Sequence, residues 1–394
     1  MDIEFTKKQQ KLRFQLREYF DDLLNEDLKK ELTNGLTDGG GGPEFKKALK
    51  KIGKDGWIGL SWPKKYGGQE RSTLDQYIFT EEVMRSGFPF PFLTTESVGP
   101  TIAEYGNKKV KDEIIPQILA GEIVIAIGYS EQNAGTDLAS LTTKAEKKGN
   151  SWLINGQKMW TSLADYSDYI WLAVRTDPQS NDHKGLSIIL VPSSCKGITI
   201  NPIFTLGDVR TNATFYDDVK IPQKYLIGEI NQGWNLITGQ LNRERVSLVN
   251  NAPIERALEE VINWAKLVEI DQKKMLIDEP WVQNNLAKVK VGANALRILC
   301  WKQACALDKE ELNMADASVV KVYGSEFFIE AYRLLMEVLG IESLLTKNSE
   351  GRIIEGRLEM LYRVSSILTF GGGTNEIQRD IISMAGLSMP RQKR

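Results

Sequence analysis

The hydrophobic period of this chain changes twice, and each change forces a change of architecture. Up to about residue 122 apolar residues recur at steps of three and four, as in Leu12, Leu16, Tyr19, Phe20, Leu23 and Leu24, the stripe of an amphipathic helix. Thr6 with Gln9 forms a capping box that starts the first of these helices. At Ile123 the pattern shortens. IVIAIGY, LTTKAEKKGNSWLING, YIWLAVRT, GLSIILVPS, GITINPI and NATFYDDVKI run or alternate apolar between Gly, Asn and Pro breaks, which is strand behaviour. Their connections are too short for crossover helices, so the sheet should be antiparallel, a small barrel or sandwich. The Gly149-Asn150 pair reads as a hairpin turn.

From Gly233 the helical period returns and holds to the end. The expectation is an α+β protein in three parts: an N-terminal helical domain over 1–122, a middle antiparallel β domain over 123–230 and a C-terminal helical domain over 231–394. Within the first part, TNGLTDGGGGPEF (33–45) reads as a mobile loop, because four consecutive glycines hold a fixed backbone only at high entropic cost. A sheet meeting two helical bodies leaves a cleft of the kind that takes cofactors.

Composition narrows the chemistry. Cys195, Cys300 and Cys305 form no CxxC pair, and the one histidine, His183, stands in a polar stretch. Zinc, iron–sulfur and Ser/His/Asp schemes therefore lack ligands or base, which leaves carboxylates or an organic cofactor. A net charge of −2 over 394 residues argues against nucleic acid or an acidic membrane surface as partner. No apolar run is long enough to span a membrane, and the first residues lack a basic segment followed by an apolar one, so a cytoplasmic location is expected.

Two stretches carry candidate chemistry. In GWNLITGQLNRERVSLVNNA (233–252), Trp234, Ile237, Leu241, Leu248 and Ala252 mark one buried stripe of a helix, and Glu244 lies on it, three residues after Leu241 and four before Leu248. A carboxylate in apolar surroundings is a stronger base once ionised, as proton abstraction from carbon requires; the same pattern also fits a structural acid paired with a buried arginine. In LTFGGGTNEIQRDIISMAGLSMP (368–390), three glycines let a ligand approach backbone N–H groups, and Thr374 or Asn375 caps a helix running on to Gly386. Taken alone, this is equally a loop before a helix.

WPKKYGG (62–68), SEQNAGTD (130–137), INGQKMWTS (154–162), FYDDVKIPQKYLIGEINQGW (215–234) and GGGTNEIQR (371–379) together resemble the acyl-CoA dehydrogenase family along essentially the whole chain. The resemblance implies a helical N-terminal domain, a β middle domain and a C-terminal four-helix bundle. It also implies FAD as cofactor, an acyl-CoA substrate, an electron-transfer flavoprotein as acceptor and a tetramer serving fatty acid or sterol side-chain β-oxidation. Carried over by position, it puts Tyr129 and Ser130, on the first β strand, at the isoalloxazine edge, and Trp160, Thr161 and Ser162 around the flavin ring. Thr374, Asn375 and Glu376 fall at the nucleotide portion, Thr136 between cofactor and substrate, and Asn242, Arg243, Arg245 and Gly373 at the acyl-CoA. Trp160 read alone could be core, and Ser162 a turn.

Many members place the catalytic glutamate directly before the glycine of the Gly-Thr pair in the last loop, and here that position is Gly372. Glu376 lies four residues on and does not replace it. A minority carries the base on the long C-terminal helix before an arginine, and that position is Glu244 in RERVSL. By resemblance, Glu244 would take the α-proton of the thioester while the backbone N–H of Gly372 bonds its carbonyl, and a trans-2-enoyl product would leave.

The Arg-x-x-Phe and Gln-x-x-Gly-Gly features that usually reach FAD across a subunit interface are missing from VEIDQKKMLIDEP and MEVLGIE. Members sharing these departures include halves of two-gene heterotetramers acting on bulky sterol-derived esters, so either a homotetramer or an α2β2 pairing with a paralogue is expected. A flavin-dependent oxidase or monooxygenase, and a non-catalytic subunit of a heteromer, are the competing readings.

Overall fold

The computed structural model describes residues 4–34, 40–180, 182–271, 274–309, 311 and 313–390, with the side chains of 34, 242–248 and 308 outside the description. Six helices come first: α1 (Lys7–Leu23), α2 (Glu26–Asn34), α3 (Pro43–Lys54), α4 (Thr73–Ser86), α5 (Gly99–Tyr105) and α6 (Lys108–Leu119). The Thr6 hydroxyl accepts from the Gln9 N–H and the Gln9 side chain accepts from the Thr6 N–H, so the capping box exists at both ends. Buried Glu82 of α4 accepts from Arg13 and Arg17 of α1 at 2.8 Å each, fastening the two helices. The glycine run at 39–42 lies partly outside the described residues. Gly40 and Gly41 press against the Tyr166 ring, where a Cβ would collide.

Eight strands follow: β1 (Ile125–Gly128), β2 (Lys144–Lys148), β3 (Ser151–Lys158), β4 (Tyr169–Arg175), β5 (Leu186–Pro192), β6 (Ile198–Phe204), β7 (Arg210–Pro222) and β8 (Leu226–Ile227). They form one sheet in the order β6-β7-β3-β2-β4-β5-β8, with β1 beside β4. Gly149, at φ +59°, turns the β2–β3 hairpin. The sheet is antiparallel except along one edge of β4, where β1 pairs in parallel over Ile125–Gly128 and β2 adds a single parallel contact, Lys144 with Arg175. Strands β1, β2 and β4 all run the same way, so the segment 129–143 carries the chain back past β1 before β2 begins, and the β2–β3 hairpin then leads into β4.

The C-terminal helices are α7 (Gly233–Leu248), α8 (Ala252–Ala265), α9 (Pro280–Asp308), α10 (Met314–Leu339), α11 (Arg357–Ser365) and α12 (Asn375–Ile381), with a small hairpin of β9 (Glu269–Asp271) and β10 (Lys274–Met275) after α8. The four long helices α7 to α10 make the bundle, with α10 touching every other helix of the group. The stripe expected to run through Ala252 is broken. Helix α7 ends at Leu248, Val249 is extended (φ −127°, ψ 130°), and Ala252 opens α8. In a continuous helix Pro253 would have no N–H to give the Val249 carbonyl and its ring would clash there, whereas a proline is tolerated in the first turn of α8. The Asn250 side chain accepts from the Ala252 N–H at 2.8 Å.

Two cores hold the molecule, and they do not follow the three-part division. Helices α1 to α4 share one core with α8 to α11, whereas α5, α6 and the buried face of α7 pack with the sheet. Among the described residues no helix is long and apolar enough to cross a membrane.

Candidate active site

The sheet end nearest the bundle is built on a buried ion pair. Lys158 closes β3 at a register otherwise held by Trp152 and Ile154, so its ammonium is carried into the core and needs an anion there. Glu131 supplies it at 2.9 Å. The Glu131 carboxylate also accepts from the Thr142 and Thr143 N–H groups at 2.8 Å each and from the Thr142 hydroxyl at 2.7 Å. Burial alone would raise this carboxyl, but the Lys158 ammonium and these donors outweigh it and hold it at about 2. Lys158 donates a second bond to the Tyr129 carbonyl at 2.9 Å, and the Met159 N–H meets the Ser130 carbonyl at 2.8 Å. The segment after β1 and the segment after β3 are thereby locked side by side.

Trp160 leaves this lock at φ +62°, a backbone region costly for a tryptophan. Its neighbour is fixed by the bond from the Thr161 N–H to the Asn212 carbonyl at 2.9 Å, yet the indole itself is 55% exposed. A strained, well-anchored residue presenting a large flat face to the outside is poorly explained as core.

Tyr129 points the other way. Its hydroxyl accepts from Trp171 Nε1 at 2.8 Å and donates to Gln240 Oε1 at 2.9 Å, and the Gln240 amide bonds the Ser97 hydroxyl. This buried chain of bonds ties β4, the segment after β1, α7 and the turn Leu93–Val98 together. Gly233, Leu236, Ile237 and Gln240 form the buried face of α7; position 244 is one helical turn beyond Gln240.

The glycine loop is gripped from behind. Lys321, fully buried on α10, donates to the Gly373 carbonyl and to Asn375 Oδ1, both at 2.8 Å. Gln378 Nε2 reaches the Gly372 carbonyl at 3.4 Å. Gly372 and Gly373 adopt φ +68° and +95°, open to glycine at little cost. Arg363 on α11 pairs with Asp208 at 2.7 Å in the turn between β6 and β7, bringing the middle sheet against the helices that lead into this loop.

Several expected site residues land differently from their sequence assignment. Tyr129 and Ser130 follow β1 rather than lying on it, and the Tyr129 ring is buried in the network above. The Thr161 hydroxyl is buried against Thr214 at 3.3 Å and the Ser162 hydroxyl pairs with Thr211 at 3.0 Å, so both side chains already have partners in the protein. The Asn375 amide is turned into the bundle towards Lys321, Ser325 and Glu326. Thr374 is the cap, accepting from the Ile377 N–H at 3.3 Å, and α12 stops at Ile381, giving way to a wider turn to Gly386. Thr136 and Glu376 are exposed. The Glu376 backbone N–H and the Thr374 hydroxyl hold the Glu376 carboxyl below its usual range. The side chains of Asn242, Arg243, Glu244 and Arg245 lie outside the described residues. Glu131, Lys158, Gln240 and Lys321 were not singled out from sequence, although a lysine at an apolar register, as at 158 or 321, was a usable signal for a buried anion or carbonyl.

Models of the acyl-CoA dehydrogenase N-terminal, middle and C-terminal domains match residues 6–122, 126–219 and 231–387. The chain belongs to the acyl-CoA dehydrogenase family. The dehydrogenase is 46% identical to acyl-CoA dehydrogenase FadE26 of Mycobacterium tuberculosis over all of both chains. Among solved structures it resembles a chain of the ChsE4-ChsE5 complex from Mycobacterium tuberculosis (47% identity, TM-score 0.93, all of both chains). It also resembles a chain of the Tcur3481-Tcur3483 steroid ACAD (43%, 0.91, all of both chains).

Enzymes of this family are FAD-dependent oxidoreductases, and the residues present in this dehydrogenase fit the cofactor. The exposed indole of Trp160, on an anchored stretch of backbone, offers a face for a flat heteroaromatic ring. The polar segments after β1 and β3 that flank it can bond the ring through backbone groups, since their side chains are largely engaged elsewhere.

Proposed function

We propose that this dehydrogenase oxidises an acyl-CoA thioester to the trans-2-enoyl thioester, with Glu244 as the base. One observation carries the reading: α7, which bears position 244, and the glycine loop that follows α11 are both docked on α10, the loop through Lys321, while Trp160 presents its exposed ring from a backbone anchored on the adjoining sheet. A thioester α-proton is weakly acidic, so charge developing on the carbonyl oxygen must be met by hydrogen bonds. We assign that role to the backbone N–H of Gly372, where the absence of a side chain allows close approach. Asn242, Arg243, Arg245, Gly373 and Thr136 would hold the acyl-CoA. Ser130, Trp160, Thr161, Ser162, Thr374 and Glu376 would line the cofactor, mostly by backbone or ring face; Tyr129 and Asn375 would act from behind, as positioning residues. Bound FAD supplies the acceptor for the hydride leaving Cβ. Removal of water from the junction strengthens Glu244 as a base and protects the thioester.

Likeness to a steroid ACAD supports a bulky, sterol-derived acyl chain, and the two-component make-up of both solved relatives supports an α2β2 assembly with a paralogue. The segments at 268–280 and 336–342, which contain neither the Arg-x-x-Phe pair nor the Gln-x-x-Gly-Gly turn, point the same way. Three large apolar side chains on α9, Trp281, Val291 and Ile298, are exposed by 47%, 69% and 45%, which suits a subunit contact. We take an electron-transfer flavoprotein as acceptor and the cytoplasm as location. Anaerobic mixing of the FAD-loaded protein, purified with its genomic neighbour, against a panel of acyl-CoA esters tests the reading. Bleaching of the flavin absorbance with formation of the enoyl thioester is expected; an oxygen-consuming turnover without an enoyl product would replace it with an oxidase.

A further inference from the structure

A cavity of ≈ 510 Å³ lies between the N-terminal helices and the end of the bundle, walled by Trp62, Pro100, Ala103, Ala304 and Leu307. It flanks the helix that carries position 244: the turn Leu93–Val98 packs on α7 through Ser97 and Gln240, and Asn250, two residues beyond the end of α7, lines the cavity. Gly99 lets Trp62 close down as a wall, since a Cβ there would meet the indole at 2.5 Å.

The polar groups on this wall are mostly committed elsewhere. Tyr77 bonds Glu81 and Asn251, and the Thr80 hydroxyl bonds the Gln76 carbonyl at 3.1 Å. Gln76 accepts from the Ser61 N–H through Oε1 and donates from Nε2 to Glu96 Oε1 at 2.9 Å, which fixes the Glu96 carboxyl in one orientation. Among the described residues no cation pairs with Glu96. Its burial, eased only slightly by the Thr95 hydroxyl, pushes its carboxyl up to about 7. Lys65 and Glu104 also line the cavity, but neither forms an ion pair with Glu96. A carboxyl without a paired cation in such a position is costly to folding, and such costs collect where a ligand is to be bound.

We propose that Glu96, oriented by Gln76, is the specificity group of this cavity and binds a hydroxyl at the far end of a bulky, otherwise apolar acyl chain. A hydroxyl suits the site because it can donate to the carboxylate and accept from the carboxylic acid. The apolar part of the wall, Trp62, Pro100, Ala103, Ala304 and Leu307, takes the body of the chain, and a chain end lacking the hydroxyl leaves the half-buried carboxyl unmatched. Discrimination of this kind, where a polar group inside the protein is stranded by the wrong ligand, is far larger than that from a missing methylene. The proposal rests on the acyl-CoA reading above.

The test uses cycloalkyl-terminated acyl-CoA esters of increasing chain length, each made with and without a hydroxyl on the ring, against FAD-loaded wild type, Glu96→Gln and Glu96→Leu. At one chain length the wild type should bind the hydroxylated ester at least ten-fold more tightly by calorimetry. In turnover the preference should lie in KM rather than kcat. Glu96→Gln should keep part of the preference, since an amide still bonds a hydroxyl, while Glu96→Leu should lose it and bind the plain ester as well or better. Equal binding of the pair by wild type at every length, or an undiminished preference in Glu96→Leu, overturns the proposal. A preference in binding without flavin bleaching by any ester retains it and overturns the dehydrogenation reading instead.

Discussion

Replacing the proposed base by its amide separates chemistry from binding. Glu244→Gln keeps the shape of the side chain and should lower the anaerobic rate of flavin reduction by about a hundred-fold or more, with FAD content and acyl-CoA affinity nearly unchanged; stopped-flow absorbance reads it. Glu376→Gln, at an exposed position outside the loop, should change the same rate far less, and the reverse ranking would remove Glu244 from its role. Behind the site, Lys158→Met strands Glu131 among its donors without a cation. Removing one partner of a buried pair typically costs about 3–5 kcal/mol, so the denaturation midpoint should fall sharply, while the double change Glu131→Leu with Lys158→Met should recover much of the loss. Glu96 gives a test by pH. Its carboxyl titrates at about 7 in the folded protein against 4.5 for the ordinary group, so the folded state holds the proton more tightly. The destabilisation from ionising it is absent below pH 4.5, grows as pH rises towards 7 and is complete above. Glu96→Gln should therefore exceed wild type in stability above pH 7 by an amount on the order of 2–3 kcal/mol, with the gap closing as pH falls to 4.5; urea unfolding at pH 5 and pH 8 measures both ends.

At the scale of elements, the glycine loop is a strap between α11 and α12, held by a cap at one side and a lysine beneath. Thr374→Ala removes the side chain that accepts from the Ile377 N–H and should cost about 1 kcal/mol. Lys321→Met removes the support of two loop groups at once, and should slow flavin reduction more than it lowers the melting temperature, because the loop would lose its shape while the bundle keeps its core. A melting temperature that falls with an unchanged reduction rate would mark Lys321 as purely structural. The local parts of these elements were legible in sequence. The Thr6 and Gln9 capping box, the Gly149 hairpin and the period changes are set by neighbours a few residues apart, and they appear as read. Lys158 and Glu131 are 27 residues apart and Tyr129 and Gln240 111 apart; no periodicity links them, so the motifs pointed to the region but not to the bonds that organise it.

For the whole molecule, assembly and cofactor loading should be linked. If a paralogous partner completes the nucleotide end of the FAD site, FAD binds the assembled state preferentially and occupancy rises on co-expression. The chain purified alone should carry well under one FAD per polypeptide, and the particle made with its partner more, as read by flavin absorbance and mass photometry. One tightly held FAD per chain in a stable homotetramer would overturn the heteromer and leave the dehydrogenase chemistry as it stands.

The order helix, sheet, helix and the family were determined by the sequence itself, since hydrophobic period and short motifs are local properties written into consecutive residues. Tertiary structure alone decided that α1 to α4 share a core with α8 to α11 while α5, α6 and α7 lie on the sheet, because any apolar stripe can pack on any other and only shape complementarity selects the partner. It likewise decided the parallel pairing of β1 with β4, the break before α8 and the inward turn of the Asn375 amide. Each depends on which groups arrive from far along the chain to satisfy a buried charge, a carbonyl or an open strand edge.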